Sequence, residues 1–131
     1  LQAAREVRRD SALRRARTCY HHLAGIAGVS LLDEMLSRGW FNTEQGEKTL
    51  YRLTSPGERS LLSLGVDVPG TASQRRPLAY GCLDWTERRY HLRGSLADAI
   101  LTAMAYSGAV NRTTGTRAVS LKGPVSDWFD L

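Results

Sequence analysis

"HLAGIAGVSLLDEMLSRGW" at residues 22–40 and "HLRGSLADAILTAMAYSGA" at residues 91–109 resemble each other, and this resemblance decides the predicted fold. Both stretches begin His-Leu-x-Gly, and the same number of residues separates the histidine from a later glycine, Gly39 in one and Gly108 in the other. Strand-like residues, a polar turn with a glycine and more strand-like residues follow each copy. Such agreement in spacing is typical of a duplicated supersecondary unit. The sequence therefore predicts two copies of one structural unit.

Four elements are predicted in the first copy. Apolar residues at three- and four-residue spacing predict a helix over 10–25, and a serine-aspartate capping pair predicts a second helix over 31–38. A polar turn within 41–54 predicts a β-hairpin. A serine, a proline and a terminal glycine predict a third helix over 55–65. The first copy is thus predicted to run helix, helix, hairpin, helix.

The second copy repeats this order. Asp84 and Glu87 are expected to cap a helix over 85–92, and Ser95 begins the next helix, which ends at Gly108. A hairpin over 109–121 and a short helical turn follow. The predicted fold class is α+β, with two pseudo-repeated winged-helix-like units that share a core. The predicted divisions are a basic first helix plus first unit at 1–68, a connector at 69–81 and a second unit at 82–131.

Composition indicates a globular protein with a basic surface. The 131 residues include 42% hydrophobic and 24% charged residues, which is ordinary for a folded domain. The sequence contains no apolar run of membrane-spanning length and no secretory signal, so we expect a cytoplasmic location and no membrane partner. A formal net charge of +5 suits a nucleic-acid partner.

Arginines supply most of the positive charge near the start of the chain. Two interpretations stay open for them: a solvated helix face, or contacts with nucleic-acid phosphates. The candidate phosphate contacts are Arg8, Arg9, Arg14, Arg15 and Arg17.

Two cysteines and nearby histidines form the first candidate site. Cys19 and His22 are three residues apart, and Cys82 and His91 lie in the second copy. Thiolate and imidazole are soft metal ligands, so a thiol or metal sensor is one hypothesis, and ordinary buried cysteines with satisfied histidines are the other. We assign no metal and no cofactor.

The stretch "CLDWTERRY" at residues 82–90 is the second candidate. Trp85 could line an effector pocket with Tyr20 and Tyr90, or the stretch could be a structural motif in which its arginines pair with Asp84 or with the other unit. The sequence carries no phosphate loop, nucleophile elbow or catalytic carboxylate pair, so we expect a protein that is not an enzyme. A small metal- or thiol-dependent enzyme is the third hypothesis.

"ALRRARTCYHHLAGIAGVSLLDEMLSRGWF" at 12–41 and "RRPLAYGCLDWTERRYHLRGSLADAIL" at 75–101 resemble the carboxy-terminal half of long ArsR-type transcriptional regulators. In that group an amino-terminal winged helix-turn-helix domain precedes this half. The resemblance covers about Leu13 to the end of the chain. It implies a fragment or truncated product whose DNA contacts are made by the missing domain.

The resemblance implies a regulatory accessory domain that modulates a DNA-binding domain absent from this chain. A small-molecule or metal effector and a homodimer are compatible with that role. The alternative is a winged-helix module that binds DNA directly through its arginine-rich first helix. The region over 31–38 is short and apolar, which leaves little surface for base contacts.

Overall fold

The computed structural model describes residues 15–19, 22–46, 49–68, 79–84, 86–112 and 116–130. Within them the chain forms eight strands and four helices. In chain order these are β1 Arg17–Cys19, β2 His22–Ala24, α1 Gly25–Ser37, β3 Phe41–Glu44, β4 Leu50–Leu53, α2 Ser55–Ser63, β5 Tyr80–Leu83, β6 Tyr90–Arg93, α3 Ser95–Tyr106, β7 Val110–Arg112, β8 Val119–Leu121 and α4 Val125–Phe129. We call β1 to α2 the first unit and β5 to α4 the second unit.

Both units have the order hairpin, helix, hairpin, helix. The described strands form three antiparallel sheets: β1 with β2, the four-stranded β3-β4-β5-β6, and β7 with β8. The four-stranded sheet therefore joins the second hairpin of the first unit to the first hairpin of the second unit. Leu50 of β4 and Tyr80 of β5 are register partners at that seam. The units are joined by backbone pairing as well as by a core.

The first and last hairpins meet in the same way. An isolated β-bridge pairs Arg17 with Ala118, and the Thr18 amide donates to the Arg117 carbonyl at 2.8 Å. The Val119 amide donates to the Ala16 carbonyl at 3.2 Å. The first hairpin of each unit thus pairs with the second hairpin of the other unit. This gives the two units an approximately twofold arrangement.

The predicted winged-helix units are wrong. The described part of the predicted helix over 10–25 contains the β1-β2 hairpin, and the described part of the predicted helix over 85–92 is a turn followed by β6. The reason is long-range pairing. The β1 segment pairs with residues 117–119 and β5 pairs with β4, in each case in the other unit, and this pairing outweighs local helix propensity. The second predicted helix begins earlier than expected, at Gly25.

Several other elements are confirmed. The hairpin β3-β4 and the helices α2 and α3 lie where the sequence predicted them. Thr54 caps α2, since its side chain accepts a hydrogen bond from the Gly57 amide. The hairpin β7-β8 and the short helix α4 follow as expected. Residues 69–78 of the predicted connector lie outside the described residues, and Tyr80 and Gly81 belong to β5; the division into 1–68, 69–81 and 82–131 stays a prediction.

One cluster of buried apolar side chains draws on both units. Helix α1 packs against β6 and helix α3 against β2, so each unit's first helix covers a strand of the other unit. The helix residues at the centre of the core are Leu31, Leu32, Met35, Leu96, Ile100, Leu101 and Met104. None of the helices in the described ranges is long and apolar enough to cross a membrane.

Candidate functional site

Asp84 is the centre of a buried polar cluster between the two units. It follows β5 directly, and its side chain is fully buried. One carboxylate oxygen, Oδ1, accepts hydrogen bonds from Arg17 Nη2 at 3.1 Å and from the Thr86 hydroxyl at 2.6 Å. The Thr86 and Glu87 amides complete its shell at 3.0 and 3.3 Å. These bonds close the β5-β6 turn and fasten β1 to it.

The second oxygen, Oδ2, reaches the first unit's helix. The Gly25 amide, at the start of α1, donates to it at 2.6 Å. His91 Nδ1 lies 2.9 Å from the same oxygen, and His91 is itself 1% exposed. Gly25 has φ +76°, a conformation that favours glycine and aims its amide at the carboxylate. Asp84 therefore joins β1, α1 and β6 through one carboxylate.

Asp84 is held in its charged form. Burial by itself raises the pKa of a carboxyl group, but hydrogen bonds from His91, Thr86 and Gly25 and the charge of Arg17 outweigh burial and hold the pKa of Asp84 far below its usual range. An ionised carboxylate only accepts hydrogen bonds, so His91 carries a proton on Nδ1. The cluster is a charge-assisted network with all of these donors pointing at one acceptor group.

We expect this network to make acid unfolding depend on Asp84. A carboxyl group whose pKa is lowered on folding stabilises the protein fully above its ordinary pKa of about 3.9, and this contribution is lost as pH falls from there towards the lowered value. Below about pH 4, wild type should therefore lose up to about 1.4 kcal/mol per pH unit more than Asp84→Asn. Urea unfolding at a series of pH values measures this slope. Asp33→Asn, at an exposed site, is the control and should keep the wild-type slope; equal slopes for wild type and Asp84→Asn would contradict the prediction.

A second ion pair crosses between the units at the surface. Arg89 Nη2 lies 2.6 Å from Asp33 Oδ2 of α1, and both side chains are exposed. The sequence left open whether the arginines of 82–90 pair with Asp84 or with the other unit. For Arg89 the structure shows the pairing with the other unit. Arg88 has φ +55° and donates its amide to the Asp84 carbonyl at 2.7 Å, so it shapes the turn.

The cysteines and histidines of the sensor hypothesis fall on two hairpins. Cys19 is the register partner of His22 in β1-β2, and Cys82 is the partner of His91 in β5-β6. The side chains of Cys19 and His22, and the whole of Trp85, lie outside what the structure describes. Cys82 is half-buried. Among the described residues no three histidine, cysteine, aspartate or glutamate side chains are grouped to hold a metal. Thiol or effector sensing at these residues stays a prediction.

The pocket predicted beside Trp85 is likewise untested, because Tyr20 also lies outside the described residues. Tyr90 is 46% exposed. Of the candidate phosphate contacts, Arg8, Arg9 and Arg14 lie outside the described residues. Arg15 is exposed, whereas the Arg17 side chain is 4% exposed and faces Asp84. Phosphate contact by these five arginines stays a prediction.

Sequence reasoning missed the bond between Arg17 and Asp84. It assigned the arginine to phosphate and the aspartate to a helix cap, because each was interpreted from its neighbours in sequence. The one signal in the sequence was Asp84 directly after the strand-like "YGCL", because an aspartate that becomes buried on folding needs a partner for its carboxylate.

A relative of the chain is a bacterial protein named as a transcriptional regulator. Over 121 residues the chain is 31% identical to the "Uncharacterized HTH-type transcriptional regulator YdfF" of Bacillus subtilis (strain 168). The match covers 92% of this chain and 52% of the relative, so the chain spans about half the length of that protein. No protein-family model and no solved structure matches the chain. The predicted resemblance to a transcriptional regulator is confirmed at that level: the chain is similar to about half of a protein named as a helix-turn-helix regulator.

Proposed function

We propose that this chain is the regulatory portion of an ArsR-type transcriptional regulator and that it modulates an attached helix-turn-helix DNA-binding domain. The observation that carries the proposal is the alignment, which covers nearly the whole chain but only 52% of a relative named as an HTH-type regulator. In this proposal the helix-turn-helix belongs to the other half. The protein works in the cytoplasm, contacts DNA through that domain, and responds to a small effector or to homodimer formation.

The order of elements supports the assignment of DNA binding to the other half of the protein. A helix-turn-helix needs two helices joined by a tight turn, so that the second can enter the major groove. In the described residues a hairpin separates α1 from α2, another separates α2 from α3, and a third separates α3 from α4. The described part of the chain thus offers no such helix pair.

The Asp84 cluster supports a regulatory role in a second way. Its carboxylate holds a strand of the first unit, the start of α1 and a strand of the second unit. Moving either unit would leave a buried charge without donors, which is costly. A signal received by one unit would therefore be passed to the other, and this suits a domain whose task is to transmit a binding event.

We expect the 131-residue chain to bind duplex DNA weakly and without sequence preference. Its positive charge favours phosphate contact, and its described helices lack a base-reading arrangement. Selection from a random duplex library should enrich no sequence, and binding measured by fluorescence anisotropy should weaken steeply between about 50 and 200 mM salt.

The control is a scrambled version of any duplex that the selection enriches. Nanomolar binding to one selected duplex at physiological salt, lost on scrambling, would contradict the proposal, because the chain itself would then be the DNA reader.

A further inference from the structure

Trp40 and Ala109 occupy equivalent positions in the two units. The Trp40 amide donates to the Met35 carbonyl at 3.0 Å, and the Ala109 amide donates to the Met104 carbonyl at 2.9 Å. Both residues follow a glycine of positive φ, and both precede the second hairpin of their unit. They stand at the end of the two repeated stretches, which read Gly-Trp in one copy and Gly-Ala in the other.

The next contact confirms the equivalence. The Trp40 carbonyl accepts from the Thr54 amide at 2.9 Å, and the Ala109 carbonyl accepts from the Lys122 amide at 3.0 Å. Thr54 and Lys122 both lie directly after the last strand of their unit. The two backbones therefore agree on both sides of the position, and the side chain is what differs.

In the first unit the indole of Trp40 fills this position. Trp40 is 5% exposed, and its ring lies edge-on to Phe129 with centroids 5.0 Å apart. The start of α2 packs directly on it, since a Cβ placed on Gly57 would come within 2.9 Å of the Trp40 Cβ. No space for a ligand is left between these atoms.

In the second unit a cavity of about 300 Å³ opens beside Ala109. This volume is at the lower end of the range found for small-molecule sites. Its walls come from the end of α3, from Ala109 and from the start of α4, and include Met104, Val125 and Trp128. Lys122 and Asp127 also line it, and both are exposed. The second unit is therefore hollow at a position where the first unit carries an aromatic ring.

We propose that this cavity binds an uncharged, flat aromatic molecule about the size of indole. At the equivalent position of the first unit, the same backbone arrangement accommodates the flat indole ring of Trp40. Met104 and Trp128 line the cavity. Methionine sulfur and aromatic rings both make favourable contacts with an aromatic guest. The exposed charges are one of each sign, so they give no preference for an ion. Trp128 Nε1 is buried and has no hydrogen-bond partner among the described residues, which makes its N–H a sensitive reporter of a nearby guest.

Binding at this cavity goes beyond the proposed function and does not depend on it. Only the further statement that the guest is the effector of the regulator rests on the proposed function. The cavity is also distinct from the predicted pocket beside Trp85, with which it shares none of its lining residues.

Indole itself is the probe for the experiment. Its dissociation constant for the 131-residue chain is measured by calorimetric titration, and the indole N–H signal of Trp128 is followed by NMR after assignment with Trp128→Phe. Indole should bind, and should shift that signal. Ala109→Trp should weaken indole binding by at least about tenfold, since the new side chain occupies the cavity. Ala109→Leu fills the space in part and should weaken binding less, so the test survives if the tryptophan variant misfolds.

Two control variants place the new side chain elsewhere. Ala105→Trp puts the same side chain on the exposed face of α3. Ser30→Trp puts it in a second cavity, of about 400 Å³, which shares Leu121, Pro124 and Val125 with the first. Both should bind indole within about twofold of wild type, because neither Ala105 nor Ser30 lines the cavity beside Ala109.

Three results would overturn the proposal: no indole binding by the wild-type chain, equal binding by wild type and both Ala109 variants, or loss of binding in Ser30→Trp alone. Each of these leaves the DNA-selection result untouched, so failure of the cavity and failure of the proposed function are told apart.

Discussion

Asp84→Ala should reduce the free energy of unfolding by about 3–5 kcal/mol, because removing one partner of a buried ion pair leaves the other charge without compensation. The substitution takes away the acceptor of Arg17, His91 and the Gly25 amide together. A loss of this size is a large part of the stability of an ordinary small domain. Urea unfolding followed by circular dichroism at neutral pH measures it.

Asp33→Ala is the matched control, since it also removes an aspartate that pairs with an arginine of the other unit. That pair is exposed, and exposed pairs contribute about 1 kcal/mol or less. The double variant Arg17→Met with Asp84→Leu should recover part of the loss, because replacing both members of a buried pair by apolar residues is often neutral. A loss for Asp84→Ala no larger than that for Asp33→Ala would show that the cluster does not join the units.

The predicted elements that survived are those with local causes. Helix α2 has a cap and a proline in its first turn, and β3-β4 has a polar turn with a glycine between apolar residues. Helix α3 has apolar residues at helical spacing, which all face one core. Each of these signals lies within about a dozen residues, so one sequence is enough to detect it.

The elements that failed depend on contacts across the chain. Strand β1 has three residues, too few to show an alternating pattern, and its edge is paired with residues near Arg117. Nothing near Thr18 in sequence shows that partner. Helix-like spacing over 10–25 therefore predicted a helix, and the winged-helix interpretation followed from it. The four-stranded sheet contains strands from both copies, so it likewise cannot be predicted from the sequence pattern of either copy alone.

The site shows the same limit. Arg17 and Asp84 are 67 residues apart, so their bond needed the fold. The difference between Gly-Trp at 39–40 and Gly-Ala at 108–109 was visible as soon as the two stretches were aligned. Its consequence is a buried ring in one unit and a cavity in the other. That consequence could be recognised only from the positions of α2 and α4 in the structure.

Gly28→Ala should destabilise the protein by at least about 2 kcal/mol, although the same change inside most helices is stabilising by about 0.5–1 kcal/mol. A Cβ on Gly28 would lie 2.5 Å from the Leu23 carbonyl oxygen and 3.3 Å from the His91 Cβ. Helix α1 would have to move away from β2, and the hydrogen bond of His91 to Asp84 would be disturbed with it. Urea unfolding measures the loss.

Ser30→Ala is the control on the same helix. It is exposed and two residues further along, and it should change the stability by no more than about 0.5 kcal/mol. If Gly28→Ala instead stabilised the protein, the result would contradict the prediction. Helix α1 would then have room for a Cβ above β2, and close packing of α1 on β2 would not be what places the Gly25 amide against Asp84. Gly28 lies close to His91, and His91 is hydrogen-bonded to Asp84. A loss of stability in Gly28→Ala accompanied by a shift of the His91 ring signals in NMR would therefore show that the packing of α1 and the Asp84 cluster are coupled.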